Sequence, residues 1–282
     1  MSVAIRPAVA EAPWVRRFVI GAAVLSLALL LLLPLLAVFT EALRRGLAPA
    51  LAAIVEPDAL AAVRLTLLVA AIAVPVNTLG GIAAAWAISK FDFPGRRVLV
   101  TLIELPFSVS PVISGLVWVL LFGSQGWFGP WLEARDVRIV FALPGLVLAT
   151  LFVTFPFVAR TLLPLMQEQG RAEEEAAATL GASGLQTFRH VTLPNIKWAL
   201  LAGVLLCNAR AMGEFGAVAV VSGHIRGETN TMPLHVEILY NEYQFVGAFA
   251  VAALLALLAL VTLLAKGALE WLTGRRQGVE TP

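Results

Sequence analysis

The chain has 282 residues, 60% of them hydrophobic and 13% charged, against roughly 45–50% and 25% in an ordinary soluble domain, which makes it a membrane protein. Twenty basic and 18 acidic side chains leave a net charge of +2, too balanced for a nucleic-acid surface, and no Lys/Arg run is long enough to form one. A single cysteine, Cys207, excludes an intramolecular disulfide or cysteine zinc site and reads as a small buried hydrophobe, while His190, His224 and His235 lack metal-ligand spacing.

A spanning helix needs about 20 mostly apolar residues, and six such segments are expected near 18–40, 65–88, 98–122, 139–163, 198–221 and 245–267. Residues 1–15 read as an N-terminal tail. The apolar run behind Arg16 and Arg17 is too long for a signal-peptide core and lacks a small-residue cleavage site, so residues 16–60 hold a retained first span and an outer loop. The second span carries Pro75 and Gly80-Gly81, the fourth Pro144 and Pro156; such breaks are tolerated where neighbouring helices satisfy the freed backbone.

The third span contains Pro106 and Pro111 with Ser108, Ser110 and Ser114 around them. These hydroxyls either line a polar pathway or bond carbonyls freed by proline, and both readings stand. Glu104, in the same segment, reads as a pairing residue. The fifth span carries Asn208, Arg210 and Glu214. An ionisable group inside a span is a candidate for substrate contact. Arg210 and Glu214 are also four residues apart, one turn of a helix, and mutual neutralisation is favoured because a buried unpaired charge is costly. The core is expected over 61–268, followed by a C-terminal tail, 269–282.

Thirteen Lys/Arg fall on the side of the termini and the second and fourth loops, against six on the other. The positive-inside rule then makes both termini cytoplasmic. There is no convincing repeat between the first three and last three spans, which argues mildly against a secondary transporter of inverted repeats.

The fourth loop is the least membrane-like stretch. Glu173, Glu174 and Glu175 suit the positive end of a helix, and Ala176, Ala177 and Ala178 continue it. Gly181 ends it, and Ser183 with Gln186 forms a capping box for a second helix that Pro194 stops or follows. The pair is expected to expose Ala176, Ala177, Leu180, Leu185 and Phe188, either to a partner's groove or to the protein's own bundle.

Glu175-Ala176-Ala177, three residues, Gly181, nine residues, then Val191-Thr192-Leu193-Pro194 resembles the EAA signature of ABC importer permeases, departing only in Val191 where Ile is usual. The segments Leu105–Gly123, Asn208–Thr229 and Leu239–Ala252 are similar to the W-type permeases of sulfate and thiosulfate importers. Related molybdate and tungstate permeases share the core Arg210–Gly216, whereas Ile225–Thr229 and Tyr240–Tyr243 favour sulfate. The resemblance implies an all-α, MetI-like type I permease of six spans in the cytoplasmic membrane, with cytoplasmic coupling helices. It implies that Glu175, Ala176, Ala177, Gly181, Ser183, Leu193 and Pro194 form the ATPase-coupling element. The partners it implies are an ABC ATPase dimer, a second, T-type permease and an extracytoplasmic sulfate-binding protein docking near Gly223–Glu228, with lipid around the bundle.

No Gly-rich phosphate loop with Lys-Ser/Thr and no nucleophile-base set is present, so the chain is expected to hold no cofactor and catalyse nothing; ATP and Mg would belong to the ATPase. The alternatives are a molybdate or tungstate permease, or a non-ABC secondary transporter.

Overall fold

The computed structural model describes residues 13–277, with side chains described over 14–268. Of the two expected tails, residues 1–12 and 278–282 lie outside the described residues. Twelve helices follow one another, without a strand among the described residues: α1 Trp14–Ala42, α2 Leu47–Val55, α3 Pro57–Lys90, α4 Arg96–Ser108, α5 Pro111–Phe122, α6 Gly129–Glu133, α7 Leu143–Gln169, α8 Ala172–Thr179, α9 Gly184–Met212, α10 Gly216–Ser222, α11 Met232–Asn241 and α12 Phe245–Gln277.

Helices α1, α3, α7, α9 and α12 are long and apolar enough to cross a membrane, and α4 with α5 makes a sixth span if the bent pair is taken as one. The third span expected near 98–122, with its prolines, is corrected only in shape: the chain turns by 107° between α4 and α5. Pro111 has no N–H to continue α4 and disfavours helical backbone at Ser110, which adopts φ −57° and ψ 134°. The fifth span is corrected too. It begins as α9 at Gly184 rather than near 198 and ends at Met212; Gly213–Phe215 interrupts it, and α10 is a separate short helix.

The core lies where α3, α7 and α9 pack together, with Val158, Leu162, Met166, Ile196 and Cys207 fully buried. Between spans in lipid, packing and hydrogen bonds replace the hydrophobic effect as the adhesive. Asn77 of α3 supplies the polar part, donating to the Leu151 carbonyl (3.2 Å) and to Thr154 Oγ1 (2.7 Å), while Cys207 Sγ meets the Thr154 carbonyl at 3.7 Å. The two broken segments meet each other: α5 lies on α10 so closely that a Cβ at Gly115 would stand 2.7 Å from the Ala217 carbonyl.

Candidate functional site

At one end of the bundle, α8 and the start of α9 form the expected helix pair. The turn between them is built locally. The Ala182 and Gly181 amides donate to the Ala177 and Ala178 carbonyls, both at 3.0 Å, closing a Schellman motif with Gly181 at φ +90°. Ser183 then caps α9: its backbone N–H donates to Gln186 Oε1 (2.8 Å) and its hydroxyl accepts the Gln186 amide (3.4 Å), the expected capping box.

The three adjacent acids divide. Glu173 accepts from the Asn195 side-chain amide. Glu174 Oε1 sits 2.7 Å from Lys90 Nζ and accepts the Thr192 hydroxyl at 3.1 Å. Glu175 is exposed, with no side-chain partner among the described residues, beside exposed Ala176 and half-buried Ala177. Leu180 and Leu185 project on either side of the turn, 89% and 78% exposed.

Two expectations are corrected at this end. Phe188 is half-buried, its ring 5.0 Å from that of Trp86 on α3, so it anchors the pair to the bundle. Pro194 neither stops the helix nor starts a new one: α9 runs through it behind a widened turn at Phe188–Thr192, whose i→i+5 pairing absorbs the amide that proline lacks. Leu193 is half-buried against the core and Pro194 is exposed.

Lys90, missed as a site residue, is buried at the last turn of α3. Asp92 beside it bridges Arg171 (2.8 Å) and Arg96 (3.0 Å), and the Arg171 guanidinium holds its carboxyl below the usual carboxylate range. In the sequence Lys90 is one of several loop-side cations. Its only local distinction is its place at the end of an apolar segment.

The polar residues of the broken spans separate in the same way. Ser114 is buried and its hydroxyl donates to the Pro111 carbonyl at 2.7 Å, the proline-relief reading. Ser108 and Ser110 flank the bend exposed, without side-chain bonds among the described residues. Arg210 pairs with Glu214 at 2.7 Å, and Glu214 Oε1 accepts the Ala217 amide at 2.8 Å, so one buried carboxylate neutralises α9 and caps α10. Among the described residues Asn208 is half-buried with no bonded partner, and Glu104 is exposed with no pairing partner, against the expectation of pairing. The bends are neighbours: a Cβ at Gly216 would be 3.0 Å from Pro111 Cβ.

At the opposite end, the loop after α10 is built rather than slack. Ser222 and Thr229 exchange hydroxyl-to-carbonyl bonds, and Arg226 reaches Asp58 (3.7 Å) and the Glu242 carboxylate. No group of three or more His, Cys, Asp or Glu suited to a metal occurs among the described residues.

Residues 76–276 match the family described as "Binding-protein-dependent transport system inner membrane component". The chain is 54% identical to the sulfate transport system permease protein CysW of Escherichia coli K12 over 92% of its length and 89% of that protein's. It is 36% identical to the sulfate transport system permease protein CysT of Salmonella typhimurium over 91% and 93%. A chain from the crystal structure of a bacterial alginate ABC transporter, with an alginate-bound periplasmic protein, superposes with a TM-score of 0.75 at 17% identity, covering 90% of this chain and 92% of the other. That likeness establishes the fold.

Proposed function

The chain belongs to the binding-protein-dependent transport system inner membrane components, and from this premise we propose that it is the W-type permease of an ATP-driven importer of sulfate and thiosulfate. Membership makes it a transport subunit rather than an enzyme and sets aside the secondary-transporter alternative. The observation that carries the substrate is the 54% identity to a sulfate permease across nearly the whole chain, against 36% to the T-type protein. The same pair of relatives supports a heterodimer with a T-type permease.

In this reading the core spans 61–268, 16–60 is the first span and outer loop, and both termini are cytoplasmic. The α8–α9 turn is then the cytoplasmic docking element. Glu175, Ala176, Leu180 and Leu185 face an ATPase dimer that binds ATP and Mg, Gly181 and Ser183 shape the turn, and Leu193-Pro194 lead into the span. The opposite end, with Arg226, receives a sulfate-binding protein. The anion passes near Ser108, Ser110, Asn208 and Arg210, where hydroxyls, an amide and a partly neutralised cation offer weak contacts that do not trap a dianion. Docking at one end shifts the equilibrium between conformers open at either end, a coupling between distinct sites.

Uptake of radiolabelled sulfate by the reconstituted permease pair, ATPase and binding protein tests the reading. It is expected to require ATP and to be competed by thiosulfate more strongly than by molybdate. Uptake of molybdate with indifference to sulfate would replace the substrate assignment.

A further inference from the structure

Lys90 is a long cation kept almost entirely from solvent, and its partners belong to different parts of the chain. Its ammonium donates to the Gly170 carbonyl, at the junction of α7 and α8, and lies 2.7 Å from Glu174 of α8. The Glu174 oxygen it meets also accepts the hydroxyl of Thr192, a buried residue of α9. One ammonium at the end of α3 therefore joins α3, the end of α7, α8 and, through Glu174, α9. Around it, the ring of Trp86 on α3 packs at a tilt against that of Phe188 on α9, and Asp92 after α3 is held by Arg171 before α8. The neighbouring acid, Glu175, takes no part and faces outward.

From this geometry we propose that Lys90 is a positioning residue for transport: it locks the docking helix α8 to three spans so that displacement of α8 moves α3, α7 and α9 as one body. A buried ion pair is weak evidence of stability, since desolvation offsets attraction; its attested use is to fix one arrangement among several. A helix joined to the bundle only by its flexible ends would absorb a push in its loops. A rigid element with two discrete arrangements transmits it. The proposal rests on α8 being the ATPase docking element.

The test uses the complete importer carrying Lys90→Met, Lys90→Arg or the double change Lys90→Met with Glu174→Met. For each, ATPase co-purification, thermal stability, basal hydrolysis, hydrolysis stimulated by the loaded binding protein, and uptake are measured. Lys90→Met is expected to retain the ATPase and basal hydrolysis while losing stimulation and uptake about tenfold, within the usual range of coupling effects. Lys90→Arg recovers much of both. The double variant removes the orphaned acid, so it regains stability without regaining stimulation. Stimulation within about twofold of wild type in Lys90→Met, or restored together with stability in the double variant, would overturn the proposal, because unpaired charge would then be the whole effect. Loss of the ATPase from the double variant would overturn it as well, making Lys90 a docking rather than a transmitting residue. If the docking reading itself is at fault, Glu175→Ala and Gly181→Val leave co-purification intact, an outcome independent of Lys90.

Discussion

The Arg210 guanidinium lies 2.7 Å from Glu214, a carboxylate with a side chain only 1% exposed, while the Arg210 side chain remains a third exposed. The pair is asymmetric: the acid is sealed and the base reaches outward. Replacing Arg210 by Ala strands the acid, and breaking a buried pair from one side costs about 3–5 kcal/mol. Adding Glu214→Gln removes the stranded charge while its carbonyl oxygen can still accept the Ala217 amide. The double variant is therefore expected to melt well above the single one in detergent. Equal melting temperatures would show that the pair contributes little.

Transport should respond differently. In the double variant stability returns but the exposed cation does not, so sulfate uptake is expected to stay reduced with ATPase co-purification unchanged. Uptake restored alongside stability would confine Arg210 to pairing.

Gly181→Val addresses the turn. Nothing lies within 4 Å of a Cβ built there, but the residue holds φ +90°. The cost is thus backbone strain, about 1–2 kcal/mol for an ordinary L-residue and more for a β-branched one. Because the turn joins the short helix α8 to the exposed start of α9, the expected result is a reoriented α8 and loss of ATPase co-purification from a folded bundle. Gly181→Asn, which tolerates left-handed backbone better, should retain part of it.

Neighbouring acids should separate cleanly. Glu175→Ala removes an exposed, unpaired side chain and is expected to leave the melting temperature unchanged while weakening ATPase binding. Glu174→Ala strands buried Lys90 and is expected to lower the melting temperature by an amount in keeping with about 3–5 kcal/mol. Thermal unfolding and co-purification on the two variants decide the assignment; the reverse pattern would exchange the roles of the two residues.

What was legible in the sequence follows from how locally each feature is specified. The Gly181 turn and the Ser183–Gln186 box are set by residues within a few positions, and both stand as read. The Arg210–Glu214 pair, one turn apart, is equally local. The bend at Pro111 is less so. Pro75, Pro156 and Pro164 sit inside helices that remain continuous, so proline alone does not set a break. At Pro111 the new direction is held by α5 lying on α10 through Gly115 and Ala217, residues about a hundred positions apart. The Lys90–Glu174 contact joins the ends of segments that only folding brings together. The inward turn of Phe188 likewise depends on where Trp86 arrives.

His235 supplies a pH dependence. It lies on α11, outside the candidate spans, 1% exposed, with Nδ1 3.3 Å from the Asn230 side-chain nitrogen; Nε2 has no partner among the described residues. Burial pushes its pKa below the ordinary 6.5, and Arg226 adds to this, while Asp58, Glu56 and Glu242 push upward without cancelling it. A depressed folded pKa means that the unfolded chain binds the proton more readily. The stability held by neutral His235 is thus complete above the unfolded value and lost as pH falls toward the folded one. Protonation would also turn the Nδ1 lone pair facing Asn230 into a second N–H donor. Acid also acts on the many other ionisable groups of the chain. The comparison must therefore be between proteins as well as between pH values. Wild type should lose melting temperature between about pH 8 and about pH 5, and His235→Gln, which cannot take up the proton, should lose less. Parallel curves for the two would show that other carboxylates and histidines set the acid limit.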